Sequence, residues 1–302
     1  TGNSDLQPDW VWFKCRSAAE HHGLFDSVRG VTKVVYSNLN NAEDNLADSL
    51  ASFNSNGFTM GADTGSGGAF NGNTKTMVAW QWKETATAGF DIVSYSGNNS
   101  TNRQISHSLS AKPDMMLVKC RQAGLWKIYH SSLGATKYLV LSDTAGVVDN
   151  NSTWNDTEPT SSNFTLGDDG NVNETGETYI NYLFAEKQGY SKFGSYVGNG
   201  NADGTFVYTG FKPAFVMVKS TGGESNWQMS DNKRNTFNEV NKHLRANSSG
   251  AEFTNYPIDF LSNGFKLRAT DTDTNGSGTT YIYAAFAENP FTTSTGVPAT
   301  AR

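Results

Sequence analysis

The chain has 302 residues, of which 30 are glycine, 12% aromatic and only 17% charged. A net charge of −6 and a pI near 5.4 exclude a nucleic-acid backbone as the main partner, which would demand a basic patch. No apolar run approaches the roughly 18–20 residues that cross a bilayer, so the expectation is a soluble chain without membrane insertion.

Few charges, many aromatics and many turn formers describe strands joined by polar turns. The chain begins without Met, which reads as part of something longer. After Gln7-Pro8 comes WVWFK at 10–14, apolar on consecutive residues and therefore a central strand covered on both faces. The same element returns after Lys112-Pro113 as MMLVK at 115–119 and after Lys212-Pro213 as FVMVK at 215–219. The next element opens on an aromatic in each place, matched as Phe25, Trp126 and Trp227. A further strand then begins at Lys33, Lys137 and Lys242. The stretch 40–53 could score as a short helix through Leu46, Leu50 and Phe53, but its counterparts are strands, so at most one inserted turn is expected there. SNGF at 55–58 and 262–265 and SSNF at 161–164 mark turns, with Gly57 and Gly264 where positive φ is wanted.

The closing strand of each set is the clearest: MVAWQWKE at 77–84, YINYLFAE at 179–186 and YIYAAFAE at 281–288. Their glutamates, Glu84, Glu186 and Glu288, stand 102 residues apart. The residues two, four and six places before each glutamate are apolar, the period of a strand with one buried face. A fixed interval of this kind announces an internal repeat. The expected fold is all-β: three tandem antiparallel β-sandwich, jelly-roll-like repeats of about 100 residues. The divisions are 1–88, 89–188 and 189–290, with a tail at 291–302. DIVSYSGNNS at 91–100 and KFGSYVGNG at 192–200 open the second and third repeats; the first has only TGNSDLQ. Its N-terminal strand is missing or supplied elsewhere, and an open edge needs covering. Residues 1–9 or the tail from 290 are therefore expected against another subunit.

Candidate chemistry is sparse. Asp271, Asp273 and Asn275 in DTDTNGSG alternate as calcium ligands do, but the twelfth position is Ile282 where that loop requires glutamate, and acidic Gly/Asn loops are ordinary turn chemistry. The five histidines do not recur at zinc spacing. No carboxylate pair or nucleophile elbow is suggested, so no catalytic residue, cofactor or enzymatic activity is expected. Most of the seven tryptophans fall on core positions; Trp154, in the polar loop 149–162, is the one expected in the open, where an aromatic face could stack on a sugar. Cys15 and Cys120 occupy equivalent places, Ser220 the third, and two free buried thiols fit a reducing compartment.

Taken together, SYVGNGNADGTFVYTGFKPAFVMVK at 195–219, DFLSNGFKLR at 259–268, TYIYAAFAENPF at 280–291 and VPATAR at 297–302 resemble a domain family of unknown function found at the C-terminal end of marine bacteriophage tail-fibre-like and virion surface proteins. The resemblance covers essentially the whole chain and carries no assigned catalytic or ligand residues. It implies a natural C-terminus at PATAR and a non-enzymatic virion structural protein, a tail-fibre or capsid-surface decoration component. Such a protein would be made in the host bacterial cytoplasm and displayed on the virion surface as a homo-oligomer, such as a trimer, beside other virion proteins. The alternative is a carbohydrate-binding adhesin that recognises host surface glycans.

Overall fold

A computed structural model describes residues 6–287. The first lobe contains β1 (Trp10–Cys15), β2 (Gly23–Asp26), β3 (Lys33–Tyr36), β4 (Asp44–Asn45), β5 (Leu50–Asn54), β6 (Gly57–Met60) and β7 (Met77–Trp82). The second contains β8 (Phe90–Ser96), β9 (Arg103–Ser106), β10 (Met115–Cys120), β11 (Lys127–His130), β12 (Lys137–Val140), β13 (Val148–Asp149), β14 (Asn163–Leu166) and β15 (Thr178–Phe184). The third contains β16 (Ser191–Val197), β17 (Phe206–Tyr208), β18 (Pro213–Ser220), β19 (Gln228–Asp231), β20 (Val240–Arg245), β21 (Phe253–Leu261), β22 (Gly264–Leu267) and β23 (Thr280–Ala287). Two helices of four residues, Asn151–Trp154 and Gly170–Asn173, are the only helices among the described residues. The stretch 40–53 holds β4 and the start of β5 and no helix.

The all-β expectation holds. Strand order runs β4-β3-β2-β1-β7 in the first lobe and β13-β12-β11-β10-β15-β8 in the second, beside the small pairs β5-β6 and β9-β14. In the third lobe the corresponding strands join into one sheet, β16-β23-β18-β19-β20-β21-β22-β17. That sheet curls until its two edges approach, where the Thr205 hydroxyl donates to the Val197 carbonyl at 2.8 Å. In the second and third lobes the closing strand gains an outer neighbour, β8 on β15 and β16 on β23. β7 has none among the described residues. Of the segments expected to cover that edge, residues 1–9 and the tail from 290, residues 1–5 and 290–302 lie outside the described residues, while Asp9 sits on the β1 side, its N–H donating to the Trp82 carbonyl at 2.8 Å.

The expectation of a single buried face on the closing strands fits β7, where Gln81 is exposed between buried Trp80 and Trp82, and is corrected for the other two. β15 and β23 are buried on both faces. One set of side chains, Tyr179 and Leu183 or Tyr281, Tyr283 and Ala285, packs inside its own lobe. The other set, Ile180, Tyr182 and Phe184 or Ile282, Ala284 and Phe286, meets Trp80 and Trp82 of β7 in a core shared by all three lobes. Trp10 lies 4.7 Å from Trp82 and 4.5 Å from Tyr182, ring centre to ring centre, and Trp82 lies 5.6 Å from Phe286. A sheet that buries both faces of its central strands can satisfy the second face only against its neighbours. The lobes therefore pack inward on one another. Where they meet, a cavity of about 20 Å³ is lined by apolar side chains alone, among them Trp10, Trp82, Phe184, Phe215 and Phe286. That is room for one water at most, with nothing polar to hold it.

Strand register also corrects one correspondence. Trp10 pairs with Asp26, Met115 with His130 and Phe215 with Asp231. Counting back along each strand, the residue matching Trp126 and Trp227 is His22, not Phe25, whose ring instead packs on Phe13 and Phe70 inside the first lobe.

Candidate functional site

The densest built chemistry lies in the seams between lobes. Trp126 of the second lobe donates its indole N–H to the Tyr36 carbonyl of the first at 2.9 Å. Trp227 of the third donates in the same way to Val140 of the second at 2.8 Å. His22 of the first faces the carbonyls of Arg245 and Ser248 of the third, which closes the circuit. Burial pushes this imidazole well below the usual histidine range, and its Nδ1 accepts the Trp12 indole N–H at 2.8 Å. Backbone bonds repeat the pattern: Glu43 N–H to Arg121 carbonyl at 2.7 Å, Val147 to Thr221 at 3.0 Å and Glu252 to Arg16 at 2.8 Å. Each lobe thus contacts the next by one surface and the previous by another, a head-to-tail arrangement that closes after three steps.

Three lysines sit at matching register in these seams, Lys14, Lys119 and Lys219, all fully buried. None has a carboxylate against its Nζ; each donates to carbonyls, Lys119 to those of Cys120 and Gly124 at 2.7 and 3.0 Å. Lys14 reaches across to the Ser249 carbonyl at 3.1 Å and Lys219 across to that of Thr144 at 2.9 Å. Burial brings all three ammonium groups down to about 8 from the usual 10.5. The pattern Lys-Cys or Lys-Ser at the end of each apolar strand was the available signal for them.

Two seams carry ionic networks. In one, the Arg29 guanidinium is bonded to Asp26 and Glu43, Arg121 crosses to Glu43 at 2.8 Å, and the Tyr182 hydroxyl donates to Asp26 at 2.7 Å. In another, Arg234 is bonded to Asp231 and Glu252, Arg16 crosses to Glu252 at 2.8 Å, and the Trp80 indole N–H donates to Asp231 at 3.1 Å. The third seam replaces all of this. His130, Leu133, Val147, Thr221 and Ala284 stand where the charged or polar partners stand elsewhere, and Leu133 and Val147 pack on the shared core. Burial alone would raise the carboxyl of Glu43, but Arg121 and Arg29 outweigh it and hold the group below its usual range.

One carboxylate pair breaks this logic. Glu186 pairs with Lys192 at 2.7 Å, but the residue matching Lys192 after β7 is Asp91. Burial, with Asp91 beside it, pushes the carboxyl of Glu84 up to about 7. Asp91 is itself buried and accepts the backbone N–H of Ser108.

Trp154 is fully buried, against the expectation of exposure. Asn150 caps the short helix that carries it, the indole N–H donates to the Lys137 carbonyl at 3.1 Å, and the ring packs edge-on to Tyr129 at 6.1 Å. A buried ring offers no face to a sugar. Asp271, Asp273 and Asn275 do not converge. Asp273 accepts from Asn226 and Gln228, while Asp271 accepts the N–H of Asp273. Asn275 is a fully buried hub, donating to the Asn201 and Ala269 carbonyls and accepting from the Asn199 N–H. Asn173 makes the matching ties in the second lobe, to Ser100, Gly167 and Asn98, which identifies the motif as a turn clamp. Among the described residues no group of three acidic, histidine or cysteine side chains could hold a metal. Both cysteines are free and buried.

Exposed aromatics concentrate on the third lobe: Phe206 and Tyr208 on β17, and Phe237 between β19 and β20. Tyr208 borders a groove of about 220 Å³ with Glu186, Gln188 and Lys192. Phe237 borders one of about 200 Å³ with Asn232, Asn235, Thr236 and Asn238. Phe206 and Tyr208 lie in a strand, where an aromatic reads first as core, whereas Phe237 lies in the polar stretch between β19 and β20.

Residues 2–290 match the family described as a domain of unknown function, DUF7483, and the chain belongs to that family. Among curated proteins and among solved structures, nothing matches the chain.

Proposed function

We propose that this DUF7483 chain is a non-enzymatic structural protein of a bacteriophage virion, a tail-fibre or capsid-surface decoration component built from three tandem β-sandwich repeats. The observation that carries this reading is where the buried polar chemistry goes: two seam lysines, Lys14 and Lys219, and two seam ion networks hold lobe to lobe, and among the described residues the shared core leaves no ligand-sized chamber. The phage assignment draws on the family resemblance of the sequence. The outer side of β7, unpaired among the described residues, supports a homo-oligomer or a contact with other virion proteins, since an open strand edge recruits another strand. The free, buried thiols suit folding in a reducing host cytoplasm before display on the particle surface. The test is antibody labelling of intact particles from the phage that encodes the chain, with mass spectrometry of their purified proteins. Surface labelling at many copies per particle is the expected result; presence only in the infected-cell lysate would overturn the reading.

A further inference from the structure

The connection from β19 to β20 differs from its two counterparts. Asp26 and Lys33 are seven residues apart, as are His130 and Lys137, whereas Asp231 and Lys242 are eleven apart. The four extra residues, 236–239, follow Asn235, where the other turns pass directly from Gly30 to Val31 and from Gly134 to Ala135. The fold closes this turn twice without them, so packing does not require them. Yet they carry Phe237, at 84% the most exposed large apolar side chain among the described residues.

The surrounding loop is held firmly. Asn238 clamps the backbone of Phe260 in both directions, donating at 3.1 Å and accepting at 2.9 Å. Asn235 accepts the N–H groups of Asn241 and Lys242 at 3.2 and 2.8 Å. The groove of about 200 Å³ beside Phe237 has buried Val240 and Phe260 in its lining. Asn232 also lines it, is 8% exposed, and its side-chain amide oxygen, Oδ1, has no hydrogen-bond partner among the described residues. At the matching position the other lobes carry Ser27 and Ser131. A buried acceptor without a donor is costly, and a donor arriving with a ligand relieves that cost.

We propose that this groove binds a neutral pyranose residue of a glycan, with the C–H face of the sugar on the Phe237 ring and a sugar hydroxyl donating to Asn232 Oδ1. An exposed aromatic face, side-chain amides and the Thr236 hydroxyl are the partners that a ring with one apolar face and a hydroxyl rim requires. The volume suits one sugar ring, being below the about 300–1,000 Å³ of clefts for larger ligands. The site goes beyond the structural role and does not depend on it.

The test is an amide chemical-shift titration of the whole chain with methyl glycosides of glucose, galactose, mannose and N-acetylglucosamine. At least one glycoside should give saturable shifts confined to 232–240 and the neighbourhood of Phe260, with a dissociation constant of about millimolar order. Phe237→Ala should weaken binding by about tenfold or more. Deletion of 236–239 together with Asn232→Ser copies a turn the chain already folds twice, and should abolish binding with the remaining spectrum intact. Absence of saturable shifts from every glycoside, shifts centred elsewhere, or affinity unchanged in Phe237→Ala would each overturn the assignment.

Discussion

Replacing Arg29 by leucine isolates what the seam ion networks do. The side chains of Arg29 and Asp26 are fully buried and Glu43 is nearly so, and all three lie against the second lobe. Arg29→Leu leaves Asp26 with only the Tyr182 hydroxyl and the Arg29 backbone N–H as partners. Breaking a buried ion pair from one side costs about 3–5 kcal/mol, because the remaining charge stays buried without compensation. With about 2–4 °C of melting temperature per kcal/mol for a chain of this size, Arg29→Leu should melt about 6–20 °C lower. Replacing the whole network is a different matter, since apolar substitutes for a complete buried network are often neutral or stabilising. The chain supplies the template in its third seam, His130, Leu133, Val147 and Thr221. A variant with Asp26→His, Arg29→Leu, Glu43→Val, Arg121→Thr and Tyr182→Phe should therefore melt well above Arg29→Leu alone. Thermal unfolding followed by circular dichroism gives both values. A single-variant loss below about 1 kcal/mol, or a fivefold variant less stable than the single one, would refute the reasoning.

Burial lowers Lys119 to about 8 in the folded state, so its charge penalises folding fully below pH 8 and progressively less toward 10.5. The melting temperature of the native chain relative to Lys119→Met should accordingly rise between pH 8 and pH 10, and a constant difference would contradict this. Glu84 is shifted the other way, up to about 7 from 4.5, so the folded state favours its protonated form and the resulting stability is lost as pH rises through 7. Glu84→Gln should flatten the pH dependence of melting between 4.5 and 7 and raise the melting temperature at pH 8; an unchanged profile would show that the pair with Asp91 does not hold a proton. Trp154→Ala should cost about 3–5 kcal/mol as a core truncation, read from urea unfolding, and a loss typical of an exposed side chain would return Trp154 to the surface.

The strands were legible because their period and their bounding Lys-Pro and Gly-Asn pairs are local properties. WVWFK, MMLVK and FVMVK are buried on both faces as their continuous apolar runs demanded. The closing strands misled because period two reports only the contrast along one strand. Tyr179 and Tyr281 look half-polar, yet both are fully buried with their hydroxyls bonded to backbone carbonyls. Trp154 misled for the opposite reason: its neighbours are all polar, and its burial depends on a helical turn folding it back on β12. His22 could be matched to Trp126 and Trp227 only once strand register was known, because the first lobe has an aromatic three residues later. The insertion at 236–239 did leave a trace. Lys119 to Lys219 spans 100 residues and Trp126 to Trp227 spans 101, but Lys137 to Lys242 spans 105. A jump of four between neighbouring landmarks marks added chain, though it does not say which way an added phenylalanine faces.

The three lobes form one closed structural unit joined by a common core and three seams. Differential scanning calorimetry tests this. A single transition, with calorimetric and van't Hoff enthalpies that agree, is the predicted result. Two or three resolved transitions, each with the enthalpy of a segment of about 100 residues, would contradict it.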